Sequence, residues 1–355
     1  MKTLLLSRAG LAVLLLLGGF PLHAAARLII LQYHHVDHGT PASTSITPEL
    51  FDRHIEYLRE NQYVILPLED AVGAIRKNQP LPDKAVAITI DDAYRSVYTQ
   101  VYPRLKALLW PFTVFVNPAA HDSGKEHYLT WDQMREMSRH NVSFANHTHT
   151  HLHMLRMKPG ETEASWLHRV RQDIETAQQR ITEELGHAPA LFVYPNGEHN
   201  PALRKLVTEL GYVGFGQQSG PVGPGSDFAA LPRFPMAAGF ASMARLPEKL
   251  NTWPFPVISI TPENAVLEGD SDFPELRLTL GDAEYRRDAV TCYISGQGRG
   301  VQMWQESTLV VKPVHALSAG RSRYNCTAPN LKNGGYYWYS HTWFKKQADG
   351  SWYAE

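Results

Sequence analysis

Apolar and polar positions divide this chain into two regimes. Up to about residue 215, short apolar runs alternate with stretches of helical period. The runs at 28–33, 64–66, 85–90, 112–116, 142–145, 191–194 and 212–215 predict strands. Between them, Leu50, His54, Tyr57 and Leu58 share a face of a helix opening at Pro48, with Thr47 as N-cap. Further helices are expected at 69–77, at 98–110 with an early Pro103, at 131–139 behind Thr130, at 163–185 closed by Gly186, and at 201–210 closed by Gly211. Alternating β and α units predict parallel strands joined by helical crossovers. The pattern leaves an open doubly wound sheet and a closed barrel equally available.

Beyond that region the period changes. Gly, Pro and Ser at 219–226 form a loop, and 246–256, with Trp253-Pro254-Phe255-Pro256, reads as a linker. Short β-like runs follow at 257–260, 276–280, 290–294, 308–311 and 336–339. Turn residues separate them at sandwich-like intervals, so 257–355 is expected to be a small β-sandwich, immunoglobulin-like in plan.

Charge narrows the function classes. A net charge of −1 over 355 residues, with no basic stripe, argues against a nucleic-acid binder. The first 26 residues read as a signal peptide: Lys2 and Arg8 precede an apolar segment at 11–20 and small residues at 22–26. That segment is too short to span a bilayer, so the mature chain is expected to be periplasmic or secreted, without a stable membrane anchor. In such a compartment the two cysteines, Cys292 and Cys326, read as one disulfide, worth roughly 3–4 kcal/mol in the chain-entropy model.

Candidate chemistry sits at strand ends. Asp91-Asp92 follow the run at 85–90, and His147, His149, His151 and His153 follow the run at 142–145. One Asp and two His make a ligand set for a divalent metal with open positions. Alternate residues of an extended segment share a face, so periodicity does not separate His147, His149 and His151.

Thr89-Ile90-Asp91-Asp92-Ala93, Asn146-His147-Thr148-His149-Thr150-His151 and Val193-Tyr194-Pro195-Asn196-Gly197 together resemble the three motifs of the polysaccharide deacetylases, the NodB-homology, carbohydrate esterase family 4-like group. The resemblance covers roughly 28–240, which places a deacetylase domain at 27–245. It implies a distorted (β/α) barrel with fewer than eight complete units. It implies that Asp92, His147 and His151 hold the metal, with Zn²⁺ the default and Co²⁺, Ni²⁺ or Fe²⁺ suited to the same ligands. Asp91 would be the general base, the Asn196 backbone N–H an oxyanion donor, and the Thr148 hydroxyl a brace for the loop.

Departures from the family pattern are informative. Ala93 replaces a glycine, Val193 replaces the arginine that orients the base, and Asn196 replaces a tyrosine. Arg233, in Leu231-Pro232-Arg233-Phe234, is the candidate replacement for that arginine. The family's late histidine, its acid, has no counterpart; His34, after the first strand, is the candidate in its place, as in similar periplasmic poly-N-acetylglucosamine deacetylases that carry a Tyr-His there. Trp131 and Tyr94 are candidates to stack on a sugar.

The leading expectation is a metal-dependent hydrolase that removes acetyl groups from an N-acetylated glycan: poly-N-acetylglucosamine, a chitin-like chain or peptidoglycan. The alternatives are an O-acetyl polysaccharide esterase, and an inactive carbohydrate-binding or assembly protein that uses the aromatic C-terminal part.

Overall fold

The computed structural model describes residues 27–354; the expected signal segment lies outside them. Eight parallel strands form the first sheet. Its path runs from Phe234–Pro235 through Ile29–Tyr33, Ala85–Ile90, Phe112–Val116, Val142–Asn146 and Leu191–Val193 to Val213–Phe215, with Val64–Ile65 also paired to Ala85–Ile90. Every residue of strand Ala85–Ile90 is buried, as expected of a parallel sheet covered on both faces. Alternation sorts the side chains between two cores. Ile29, Leu31, Val86, Ile88 and Ile90 pack with Phe51, Leu58, Val97 and Met134 of the surrounding helices. Leu28, Ile30, Ala87, Phe115, Ala145, Val193 and Phe215 pack on the other face.

Closure comes from a segment with almost no strand signal. Leu231 bridges in parallel to Phe215, while Phe234 pairs with Leu31. Residues 231–235 therefore link the last long strand to the first, and the sheet curls into the barrel expected for this class. The side chain between those two pairings is Arg233, which is fully buried.

Two sequence expectations need correction. The helix expected at 98–110 is a π-turn at Val97–Val101 followed by α-helix Tyr102–Ala107. Pro103 has no N–H to give the preceding turn, so it sits in the first turn of the new helix. The stretch 246–256 is no free linker. It holds helix Leu246–Leu250 and strand Thr252–Pro254, which pairs in parallel with Tyr336–Lys345.

The C-terminal region consists of two sheets. One runs Thr252–Pro254, Tyr336–Lys345, Gly320–Pro329, Thr291–Ile294 and Gly298–Arg299, with Val266–Leu267 also paired to Tyr336–Lys345. The other runs Val257–Thr261, Leu276–Leu280, Thr308–Lys312 and Val301–Gln305. Leu276, Leu278, Leu280, Leu309 and Val311 of the second sheet meet Ile294, Tyr324, Ala328 and Trp343 of the first in one core. Cys292 and Cys326 lie opposite each other on neighbouring strands and are joined by a disulfide. Among the described residues no helix is long and apolar enough to cross a membrane.

Candidate active site

The enclosed face of the sheet turns polar at the C-terminal ends of its strands. Two residues beyond Ile30, Ala87 and Ala145 come Gln32, Thr89 and His147, all at most 1% exposed; Asp91, one alternation after Thr89, is fully buried. Period two aims these side chains at one point. Asp92 would face away on a continued strand, but its φ of +69° and the +52° of Ala93 turn the chain and bring its carboxylate back.

Asp91 is held from three sides. Arg233 donates from Nη1 to Oδ1 at 2.7 Å and from Nη2 to Oδ2 at 2.8 Å, a bidentate pair. Gln32 Nε2 donates to Oδ2 at 2.7 Å. His34 Nε2 stands 3.8 Å from the same oxygen, and His34 Nδ1 is buried without a partner among the described residues. Arg233 is itself anchored by Nε donating to the Gly216 carbonyl at 3.1 Å. Burial opposes the charge on Asp91, but the Arg233 charge and hydrogen bonds outweigh it and hold the pKa below the usual carboxylate value.

Asp92 faces two imidazoles. Its Oδ1 is 3.4 Å from His147 Nε2 and 3.4 Å from His151 Nε2. The three donor atoms lie within 4.8 Å of one another. Bonds of about 2.0–2.2 Å around a tetrahedral cation put neighbouring ligand atoms about 3.4 Å apart, so the spacing fits a divalent ion of zinc size. The outer nitrogen of His147 is fixed too: Nδ1–H donates to the Val193 carbonyl at 2.9 Å, which leaves Nε2 bare toward Asp92. Burial opposes the Asp92 charge, yet the surrounding imidazoles of His147, His34 and His151 hold its pKa well below the usual range.

The geometry separates the four histidines. Positive φ at Thr148 (+60°) and His151 (+55°) breaks the extended alternation. His147 and His151 then meet Asp92, and His149 stays outside that group. Asp173 holds the loop by accepting from the amides of His149 and Thr150 at 2.7 and 3.1 Å. His153 sits 3.1 Å from both Asn196 Nδ2 and the fully buried Glu198 carboxylate, so it braces the third-motif loop. The Thr148 expectation is corrected: its hydroxyl has no partner among the described residues, and its amide, donating to Asn146 Oδ1 at 2.9 Å, makes the brace.

Asn196 occupies a left-handed turn, φ +57°, and its carbonyl accepts from Arg321 of the C-terminal region at 2.8 Å. The two candidate sugar platforms stack on protein instead. Tyr94 lies 3.6 Å from His35 and 5.1 Å from Tyr128 between ring centroids. Trp131 donates its N–H to Asp122 at 2.9 Å and carries the Arg180 guanidinium 5.6 Å above its ring.

Residues 78–215 match the family model described as "Polysaccharide deacetylase". Residues 78–215, which hold all three motifs, are thus similar to the polysaccharide deacetylases. The Bacillus subtilis (strain 168) protein YxkH, named for the same family, is 27% identical over 221 residues, 62% of this chain and 75% of that protein. The poly-beta-1,6-N-acetyl-D-glucosamine N-deacetylase of Escherichia coli (strain K12) is 30% identical over 210 residues, 50% of this chain but only 31% of the relative. Among solved structures, the Streptococcus pyogenes deacetylase PplD in complex with acetate superposes with a TM-score of 0.57 at 23% identity, over 64% of this chain and 99% of that one, a likeness of fold.

Around the site, Gln32, Asp173 and Glu198 of the barrel and Arg321 of the C-terminal region have no assigned role in the sequence reading. Gln32 had a signal: one polar residue inside an apolar run, in register with Thr89 two positions before Asp91. Asp173, Glu198 and Arg321 had none, because each reaches its partners from a distant part of the chain.

Proposed function

We propose that this protein is a metal-dependent hydrolase that removes acetyl groups from an N-acetylated glucosamine polysaccharide of the poly-N-acetylglucosamine type. One juxtaposition carries the reading: Asp91, kept ionised by Arg233, is adjacent to Asp92, which faces His147 and His151 at metal-ligand spacing. The resemblance of residues to an N-deacetylase of poly-beta-1,6-N-acetyl-D-glucosamine supports the choice of glycan. The Cys292–Cys326 disulfide and the leader-like first 26 residues support an exported location.

Amide hydrolysis needs an activated water, a base, an oxyanion partner and an acid for the amine. Asp92, His147 and His151 would hold a divalent cation, Zn²⁺ by its donor set, which supplies a Lewis acid to the acetyl carbonyl. Asp91 takes the proton of the attacking water as the new C–O bond forms. Arg233 and Gln32 fix both oxygens of that carboxylate, so the base is oriented before substrate arrives. The backbone N–H of Asn196 serves the developing oxyanion. His34, 3.8 Å from Asp91, protonates the nitrogen as the C–N bond breaks, which releases acetate and a free amine.

The test is acetate release from β-1,6-linked N-acetylglucosamine oligomers, chitooligosaccharides, peptidoglycan and O-acetylated xylan, with and without chelator. Release from the N-acetylated substrates, abolished by chelator, restored by Zn²⁺ and lost in Asp91→Asn, is expected. Release confined to the O-acetylated glycan would replace this reading with an esterase. A folded, metal-loaded protein that releases no acetate from any of them would overturn it.

A further inference from the structure

We infer that the cavity between the barrel and the C-terminal sheets is a second saccharide-binding site, which takes an uncharged stretch of the glycan away from the reacting sugar; this rests on the deacetylase reading above. The cavity measures about 790 Å³ and is walled by helix Pro201–Glu209, by the loop at 218–232 and by strand Tyr336–Lys345. That volume falls within the range of sites that enclose small ligands.

Its walls are built for a neutral, hydroxyl-rich guest. Trp338 and Tyr339 line it as aromatic surface with polar tips. His341 lines it too, is only 6% exposed, and its Nε2 has no partner among the described residues. A buried polar atom left unpaired costs about 1–3 kcal/mol, and this one, closed to solvent here, is satisfied once the ring turns to meet a ligand hydroxyl. Burial and the neighbouring His199 and Arg204 push the His341 pKa down to about 3, so the ring is an uncharged imidazole at neutral pH. The ionic groups at the wall are already paired. Arg204 meets Asp227 at 2.8 Å and Glu263 at 4.0 Å, and Lys205 meets Glu209 at 3.7 Å, so neither cation of the wall is left without a carboxylate partner to recruit an anion.

The cavity also adjoins the catalytic machinery. Gln218 lines it, and the Gln218 carbonyl accepts from the Arg233 backbone N–H at 2.9 Å. Arg233 thus has its guanidinium on Asp91 and its backbone on the cavity wall. A polymer lying across the barrel rim can occupy both places, and the C-terminal region then adds substrate grip rather than chemistry.

Titration calorimetry of the full chain with a β-1,6-linked N-acetylglucosamine tetramer tests this. The Asp92→Asn background prevents turnover while leaving the cavity intact. In that background, tetramer binding is expected to persist, and His341→Leu is expected to weaken it at least tenfold. Because a core change could disturb folding, Ser259→Trp, which fills the cavity from an exposed rim position, serves as a second variant and should also weaken binding tenfold or more. Binding unchanged by both substitutions, or absent from the Asp92→Asn chain, would overturn the inference. Acetate release by the unmodified chain is read separately. Release without cavity binding would sink the cavity alone, and cavity binding without release would sink the deacetylase reading alone.

Discussion

Arg233 reaches Asp91 across 142 positions of sequence and meets both carboxylate oxygens with both terminal guanidinium nitrogens, neither residue being exposed. A buried pair of this kind is costly to break, because the survivor is a charge without a partner. Arg233→Ala is therefore expected to lower unfolding free energy by about 3–5 kcal/mol in urea titrations. Combining Arg233→Met with Asp91→Asn, which removes the stranded charge, should recover most of that stability and none of the acetate release. A single Arg233→Ala variant as stable as the parent would show that the pair does not hold the base.

Metal capture should depend on three residues and ignore a fourth. Asp92→Ala, His147→Ala and His151→Ala each remove a donor from a set spaced within 4.8 Å. Each should lose Zn²⁺ on dialysis, measured by elemental analysis, with affinity reduced by roughly a hundredfold or more, at least the loss seen for outer-shell partners. His149→Ala, two residues from each ligand, should retain the ion stoichiometrically. Metal loss in His149→Ala with retention in His151→Ala would reassign the ligand set.

How far the sequence reaches is visible at these same residues. Strand and helix order followed from periodicity, because parallel strands buried on both faces are unbroken apolar runs, as at Ala85–Ile90. The deacetylase fold and the meeting of Asp92 with His147 and His151 were legible through strand-end motifs. Periodicity alone did not separate His149 from His151, since that depends on left-handed backbone at Thr148 and His151, neither of them glycine; the motif resemblance did. Ala93 shows the same limit. Its φ of +52° is the conformation a glycine adopts without strain, and the chain accepts the cost with a methyl group that is fully buried in the core. Arg233 could be suspected from its sequence neighbours, but its reach depends on closure through Leu231 and Phe234, a tertiary event with almost no local period. The strand at Thr252–Pro254 hid in a proline-rich stretch because edge strands tolerate proline.

The C-terminal region touches the candidate site directly. Arg321 Nη1 donates to the Asn196 carbonyl at 2.8 Å and to Gln217 Oε1 at 3.3 Å. Asn196 and Gly197 both hold positive φ, +57° and +69°, so this turn has little local reason to persist without an outside brace. Arg321→Ala should lower kcat about tenfold, the loss of roughly 1.4 kcal/mol, at unchanged Tm because the side chain is exposed. Arg321→Lys should restore part of it. A change in KM alone would show that Arg321 meets the glycan rather than the turn.

Acid should weaken the barrel through His54. This ring is fully buried, with Nε2–H donating to the Ala241 carbonyl at 2.7 Å and Nδ1 accepting from the Tyr33 hydroxyl at 3.1 Å. The Tyr33 bond requires a bare Nδ1 and is broken when that nitrogen is protonated, whereas the Ala241 bond is made by either form and opposes the shift. Burial, with smaller contributions from Lys249 and Arg53, lowers its pKa to about 4. The folded pKa is thus below the ordinary 6.5, so the unfolded chain binds the proton first as pH falls. Stability is whole above pH 6.5 and is lost progressively down to about 4, by roughly 3 kcal/mol at 1.36 kcal/mol per unit. Urea unfolding at a series of pH values should show that slope, and His54→Gln, which keeps a donor and an acceptor but does not titrate, should flatten it. An identical slope in His54→Gln would assign the acid sensitivity to other buried histidines, such as His121 or His199, whose pKa values burial also lowers to about 4.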